Sequence, residues 1–150
     1  MSNMIPRPHV AILIPSAGER SLANLARDAI AKFTTDVSHE VWLLDHPKDP
    51  PWPWHAGDAN GLALTMMIKG LGPQVTHVFA MHDDALPTCE GWLSYLLSKP
   101  GPVVGTATCR RDFAAASGAL WELKYAKENI GHIPPNMPYK DVAEFPSSWL

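Results

Sequence analysis

The chain has 150 residues, 46% of them hydrophobic, and a formal net charge of −3. That length makes one domain (1–150) with a real core, and the charge, without a basic block, speaks against electrostatic binding to nucleic acid. No apolar run is long enough to span a bilayer, MSNMIPRPH is not a signal-peptide pattern, and Cys89 and Cys109 match no zinc or redox spacing, which leaves free thiols in a reducing cytoplasm as the default.

His9 to Ile14, HVAILI, is a continuous apolar run, rich in β-branched residues, between Pro8 and Pro15. Such a run suits a strand buried on both faces, as in a parallel sheet. The turn PSAGE follows, with small residues that let backbone approach a ligand. Ser21 is a candidate helix cap, and Leu22, Leu25, Ala26, Ala29, Ile30 and Phe33 then recur at helical spacing to about Thr34. Val41 to Leu44 reads as a second buried strand ending at Asp45. A strand, helix and strand in this order make a right-handed crossover, and ligands of such open sheets sit beyond the carboxyl ends of the strands. Asp45 is therefore either a ligand contact or a turn residue before Pro47.

The loop HPKDPPWPWHAGD carries Trp52 and Trp54, which either stack on a ligand or cover the core edge. Asp58 or Asn60 opens a second helix, whose Leu62, Leu64, Met66, Met67, Ile68 and Leu71 point to burial almost all round. Val78 to Met81 is a third buried strand, ending in His82-Asp83-Asp84. Adjacent carboxylates at a strand tip repel, so both ionise comfortably only beside a cation, and oxygen ligands suit Mg²⁺ or Mn²⁺. The alternative is a polar turn in which Asp caps the next helix. Trp92, Leu93, Leu96 and Leu97 form the apolar face of a third helix. Val103 to Thr108 is a short fourth strand, followed by Arg110-Arg111-Asp112, and Ala114 to Lys127 has helical composition. The tail from about Asn129 is irregular and rich in proline.

In order and spacing these parts resemble the GT-A glycosyltransferases of the family 2 type. VAILIPSAGE is similar to that family's first strand and turn, VWLLDHPKD to its second strand, HAGDANGLALTMMIKG to its small-residue helix start, and FAMHDDALPTCEGWL to its metal-binding DxD strand. The implied fold is α/β: a Rossmann-like open, mainly parallel sheet with helices on both faces, in compact form. The implied activity is metal-dependent transfer of a sugar from a nucleotide-diphosphate donor, a UDP-sugar above all, to an acceptor hydroxyl. By resemblance Asp45 accepts a hydrogen bond from the base, and Pro15, Ser16, Ala17, Glu19 and Asn60 line the nucleotide. Asp83 faces ribose or metal, and Asp84 is the main ligand of Mn²⁺ or Mg²⁺.

Two departures stand out. His82 occupies a place where the family often has Asp, and the family's Glu-Asp base motif has no clear copy. Asp141 and Glu144 in PYKDVAEF, and Asp112, are the stand-in bases. The other readings are a nucleotidyltransferase, for which SAGERS is a poor phosphate loop, and a non-catalytic sugar-nucleotide-binding module. Self-association is left open.

Overall fold

The computed structural model describes residues 7–16, 20–45, 56–82, 85–109 and 114–129, with backbone alone at 20, 56–62, 106–109, 114–117 and 129. The element order is β1 (His9–Ser16), α1 (Arg20–Phe33), β2 (Ser38–Asp45), α2 (Ala56–Lys69), β3 (His77–Met81), α3 (Trp92–Leu97), β4 (Val103–Cys109), β5 (Ala114–Glu122) and α4 (Leu123–Asn129). The strands form one five-stranded sheet in the order β2-β1-β3-β5-β4. β1 is parallel to β2 and β3, whereas β5 is antiparallel to β3 and β4. β2, β1, β3 and β4 therefore share a direction, which β5 opposes.

Strand order explains the layers. The chain moves from β1 outward to β2, then back across β1 to β3. Two right-handed crossovers in opposite directions put their helices on opposite faces. The β1 side chains alternate accordingly. Val10, Ile12 and Ile14 pack with Ala26 and Ile30 of α1 and Leu93 and Leu96 of α3. Ala11 and Leu13 pack with Leu64, Met67 and Ile68 of α2 and Ala126 of α4. Both cores use β1, hence its unbroken apolar sequence.

Three expectations from sequence need correction. Ala114 to Lys127 is not one helix: Ala114–Glu122 is β5, and only Leu123–Asn129 is helical. Alanine favours helix, but here pairing to β3 and β4 on both sides outweighs local preference. Gly118 fits the strand, because a Cβ there would lie 2.8 Å from the Phe79 ring and 2.9 Å from the Ala80 carbonyl oxygen. In α1 the buried stripe is Ala23, Ala26 and Ile30, while Leu22 and Leu25 are exposed. Small side chains on that stripe let the helix lie close to the sheet. In α2, Ala63, Leu64, Thr65, Met67 and Ile68 are buried as expected, but Met66 faces solvent.

The amino end of the sheet is tied by polar contacts. His9 Nδ1 lies 2.6 Å from Ser38 Oγ and His9 Nε2 lies 3.3 Å from Glu40 Oε1. The His9 backbone N–H donates to Thr76 Oγ1 at 2.9 Å. These contacts fasten β1 to β2 and to the entry of β3.

Candidate functional site

At the carboxyl edge of the sheet the regular β1–β3 pairing stops before the β1–β2 pairing does. The β1–β3 pairing runs from Val10 with His77 to Leu13 with Ala80, and β3 ends at Met81. The β1–β2 pairing continues further, through Pro15 with Leu44 to Ser16 with Asp45. Beyond Leu13 and Ala80, therefore, β1 has its regular partner on the β2 side. Proline is tolerated at such a position because a strand without a ladder partner on one side needs no donor there. The end of the β1–β3 pairing lies where the chain reverses its direction of travel across the sheet, the place at which open α/β sheets bind ligands.

Ser16 sits at this edge fully buried, and Asp45 beside it is exposed. Both have polar or electrostatic partners in the structure. Pro15 is buried behind them. Asn60, expected at a helix start, lies within α2, which begins earlier at Ala56. The chain enters α2 from the carboxyl end of β2, so the first turns of α2 border the same edge. Half-buried His82 follows β3, and its carbonyl accepts a hydrogen bond from the Ala85 N–H at 3.3 Å. Asp83 and Asp84 fall between these two in sequence and lie outside the described residues, as do Ala17, Glu19, Asp112, Asp141 and Glu144. The sequence alternative, that an Asp after β3 caps the next helix, does not fit α3. That helix starts at Trp92 with Gly91 as its cap residue, in a left-handed conformation (φ 81°). Among the described residues no group of three or more His, Cys, Asp or Glu is placed to hold a metal ion.

The β4–β5 hairpin extends the wall. Gly118 pairs with Met81, so Ala114–Ser117 of β5 reach past the end of β3, where Ala114, Ala115 and Ala116 pair with β4. A register shift follows Thr106: it pairs with Gly118, while Ala107 pairs with Ala116. Such a bulge bends the ribbon and sharpens its twist. This wall was hidden in the sequence by its alanine-rich helical composition.

Below the edge, on the α1 and α3 face, a cavity of about 180 Å³ is lined by Phe79, Met81, Leu86, Thr88, Cys89 and Trp92, among others. Trp92 is held from two sides. Its Nε1–H donates to Thr34 Oγ1 at 2.9 Å, and its ring meets Phe79 edge-on with centroids 5.1 Å apart. This cavity was not anticipated from the sequence; the apolar residues of ALPTC, between the acidic pair and the helix, are the one signal for it there.

At the opposite end of the sheet a second cavity, of about 220 Å³, is lined by His77, Lys99 and Glu122 among others. Burial pushes the His77 imidazole below the usual histidine range, and the Glu122 carboxylate, its cross-strand partner, pulls the other way. His77 Nδ1 lies 2.8 Å from Thr76 Oγ1.

No protein family and no curated protein matches this chain. Among solved structures the chain is similar in fold to 4-diphosphocytidyl-2C-methyl-D-erythritol synthase from Anaerococcus prevotii DSM 20548. The TM-score is 0.54 at 12% sequence identity, over 94% of this chain and 80% of that one. The fold is thus a Rossmann-like α/β sheet flanked by helices on both faces. No described helix is long and apolar enough to cross a membrane.

Proposed function

We propose that this chain is a nucleotide-binding transferase, and within that class a nucleotidyltransferase. The observation that carries the reading is the end of β1–β3 pairing at the carboxyl edge, with Ser16 beside it and Asp45 one strand further out on β2, in a sheet similar to that of a diphosphocytidyl synthase. In the proposed step a phosphate oxygen of the acceptor attacks the α-phosphorus of a nucleoside triphosphate. The bond from that phosphorus to the bridging oxygen breaks, and pyrophosphate leaves with the electron pair. Asp45 and the backbone around Ser16 hold base and ribose, with Pro15, Ala17, Glu19 and Asn60 nearby. Asp83 and Asp84 are the residues for Mg²⁺ or Mn²⁺, which when bound offsets charge on the triphosphate. An ionised phosphate nucleophile already carries its negative charge near neutral pH. This reading therefore needs no general base, and it accounts for the missing Glu-Asp motif.

Sugar transfer is the second reading, favoured by Asp45 ending β2 and by the Asp83-Asp84 pair following β3 in sequence. A hydroxyl acceptor would then need a base, and Asp141, Glu144 and Asp112 are the candidates. A non-catalytic module would keep the nucleotide contacts without turnover. Thermal shift decides among them, because a ligand of the folded state alone raises the melting temperature. Metal-dependent stabilisation by CTP, with pyrophosphate release once a phosphomonoester is added, is the expected result. Stabilisation by UDP but not CTP supports sugar transfer. Metal-dependent nucleotide binding with no turnover of either kind supports the module.

A further inference from the structure

We infer that the cavity beneath the carboxyl edge receives the apolar end of the acceptor, a small aryl or branched alkyl group; this rests on the transferase reading above. The position is the first argument. Met81, which ends β3, and the segment from Ala85 to Cys89 both line the cavity. Those residues flank Asp83 and Asp84 in the chain. The cavity lining is thus continuous in the chain, on both sides, with the residues proposed for the metal.

Size and chemistry are the second argument. At about 180 Å³ the space, open to solvent on one side, has room for a single ring. Phe79, Met81 and Trp92 give it apolar and aromatic walls, with methionine sulfur able to adapt to ring edges. The Trp92 wall is fixed in advance by its bond to Thr34 and its contact with Phe79, so little ordering is needed on binding. Leu86 is 47% exposed, a large apolar side chain in water at the cavity lining.

Cys89, exposed and lining the same cavity, supplies the reporter. The intact chain is equilibrated under mild reductant with two disulfides of cysteamine, one bearing a phenethyl group and one a hydroxyethyl group. The Cys89 thiolate attacks the fragment's sulfur, the probe S–S bond breaks, and cysteamine leaves as its thiol. Capture is read by mass spectrometry of the Cys89 peptide. We expect the phenethyl probe to be captured about tenfold more, the factor for moving a ring from water into an apolar cavity. Leu86→Asp should abolish the preference while leaving any CTP-dependent thermal shift intact. In turnover with CTP, the same variant should raise KM for phenyl phosphate about tenfold and leave that for glycerol phosphate unchanged. Equal capture of both probes overturns the inference. So does protection of Cys89 by CTP alone, which would put the nucleotide in the cavity. Absence of any nucleotide-dependent shift overturns the transferase reading instead, and is read separately from capture.

Discussion

Ser16 and Asp45 face one another across the last register position of the β1–β2 ladder, one wholly buried and the other exposed to solvent. Parallel pairing fixes their separation, so a carboxylate stands at a set distance from the end of the β1–β3 pairing without depending on a loop. Asp45→Ala should therefore weaken nucleotide binding about tenfold or more, the worth of a hydrogen bond to a charged acceptor. Asp84→Ala should remove the metal dependence of the nucleotide-induced melting shift. Titration calorimetry on both variants, with and without Mg²⁺, is the check, and unchanged binding in Asp45→Ala would count against the site.

Gly118 is the place where β5 lies closest to β3. Gly118→Ala puts a methyl against the Phe79 ring and against Ala80 backbone, at 2.8 and 2.9 Å. The ring can shift and the carbonyl cannot, so we expect a loss of about 1–3 kcal/mol, the usual range for overpacking. Urea denaturation measures it. Adding Phe79→Leu should recover only the ring's share, so full recovery would show that the backbone contact is harmless.

Trp121 is fully buried, and its Nε1–H has no hydrogen-bond partner among the described residues. An unpaired buried donor costs about 1–3 kcal/mol. Trp121→Phe removes that donor while losing part of a ring, so the two effects oppose each other. The expected net change is within about 1 kcal/mol, against about 3–5 kcal/mol for Trp121→Ala. Equal losses in the two variants would mean that the indole is satisfied.

His77 gives a pH dependence with a definite sign. Burial lowers its pKa in the folded state, and Glu122 opposes this in part. Below the ordinary value of about 6.5 the unfolded chain binds the proton first. The contribution of His77 is thus fully present above that value and is lost as pH falls toward the lower folded pKa. His77→Gln should flatten the stability profile over that window. Glu122→Gln, by removing the opposing charge, should deepen the loss. Melting curves from pH 7 to pH 5 test both, and parallel profiles for all three proteins would remove His77 from the account.

Much of the sheet was legible in the sequence because its strands are local and continuous. His9 to Ile14 and Val78 to Met81 are apolar at every position between them that meets a core, and the crossovers follow from their order. β5 was not legible, since Ala114 to Glu122 reads as helix until partners on both sides are known. Asp45 was placed at a strand end from sequence and Ser16 in the turn after Ile14; the structure extends β1 to Ser16 and pairs it with Asp45. Asp58 or Asn60 was expected at a helix start, and both lie inside α2, which already begins at Ala56. The cavity under Met81 was missed because its lining comes from β3, a proline-containing loop and α3, and each contributes residues that look ordinary alone.

The central place of β1 has a consequence for synthesis on the ribosome. Val10 finds its β3 neighbour His77 only after a long stretch of chain has emerged, and Ile12 waits for Leu120 to complete its cluster. Until then one margin of the first strand stays unpaired and both of its faces are incompletely covered. Nascent chains arrested before residue 77 should be readily cleaved by protease, and resistance should arrive as a late, single event once the fifth strand is free of the exit tunnel.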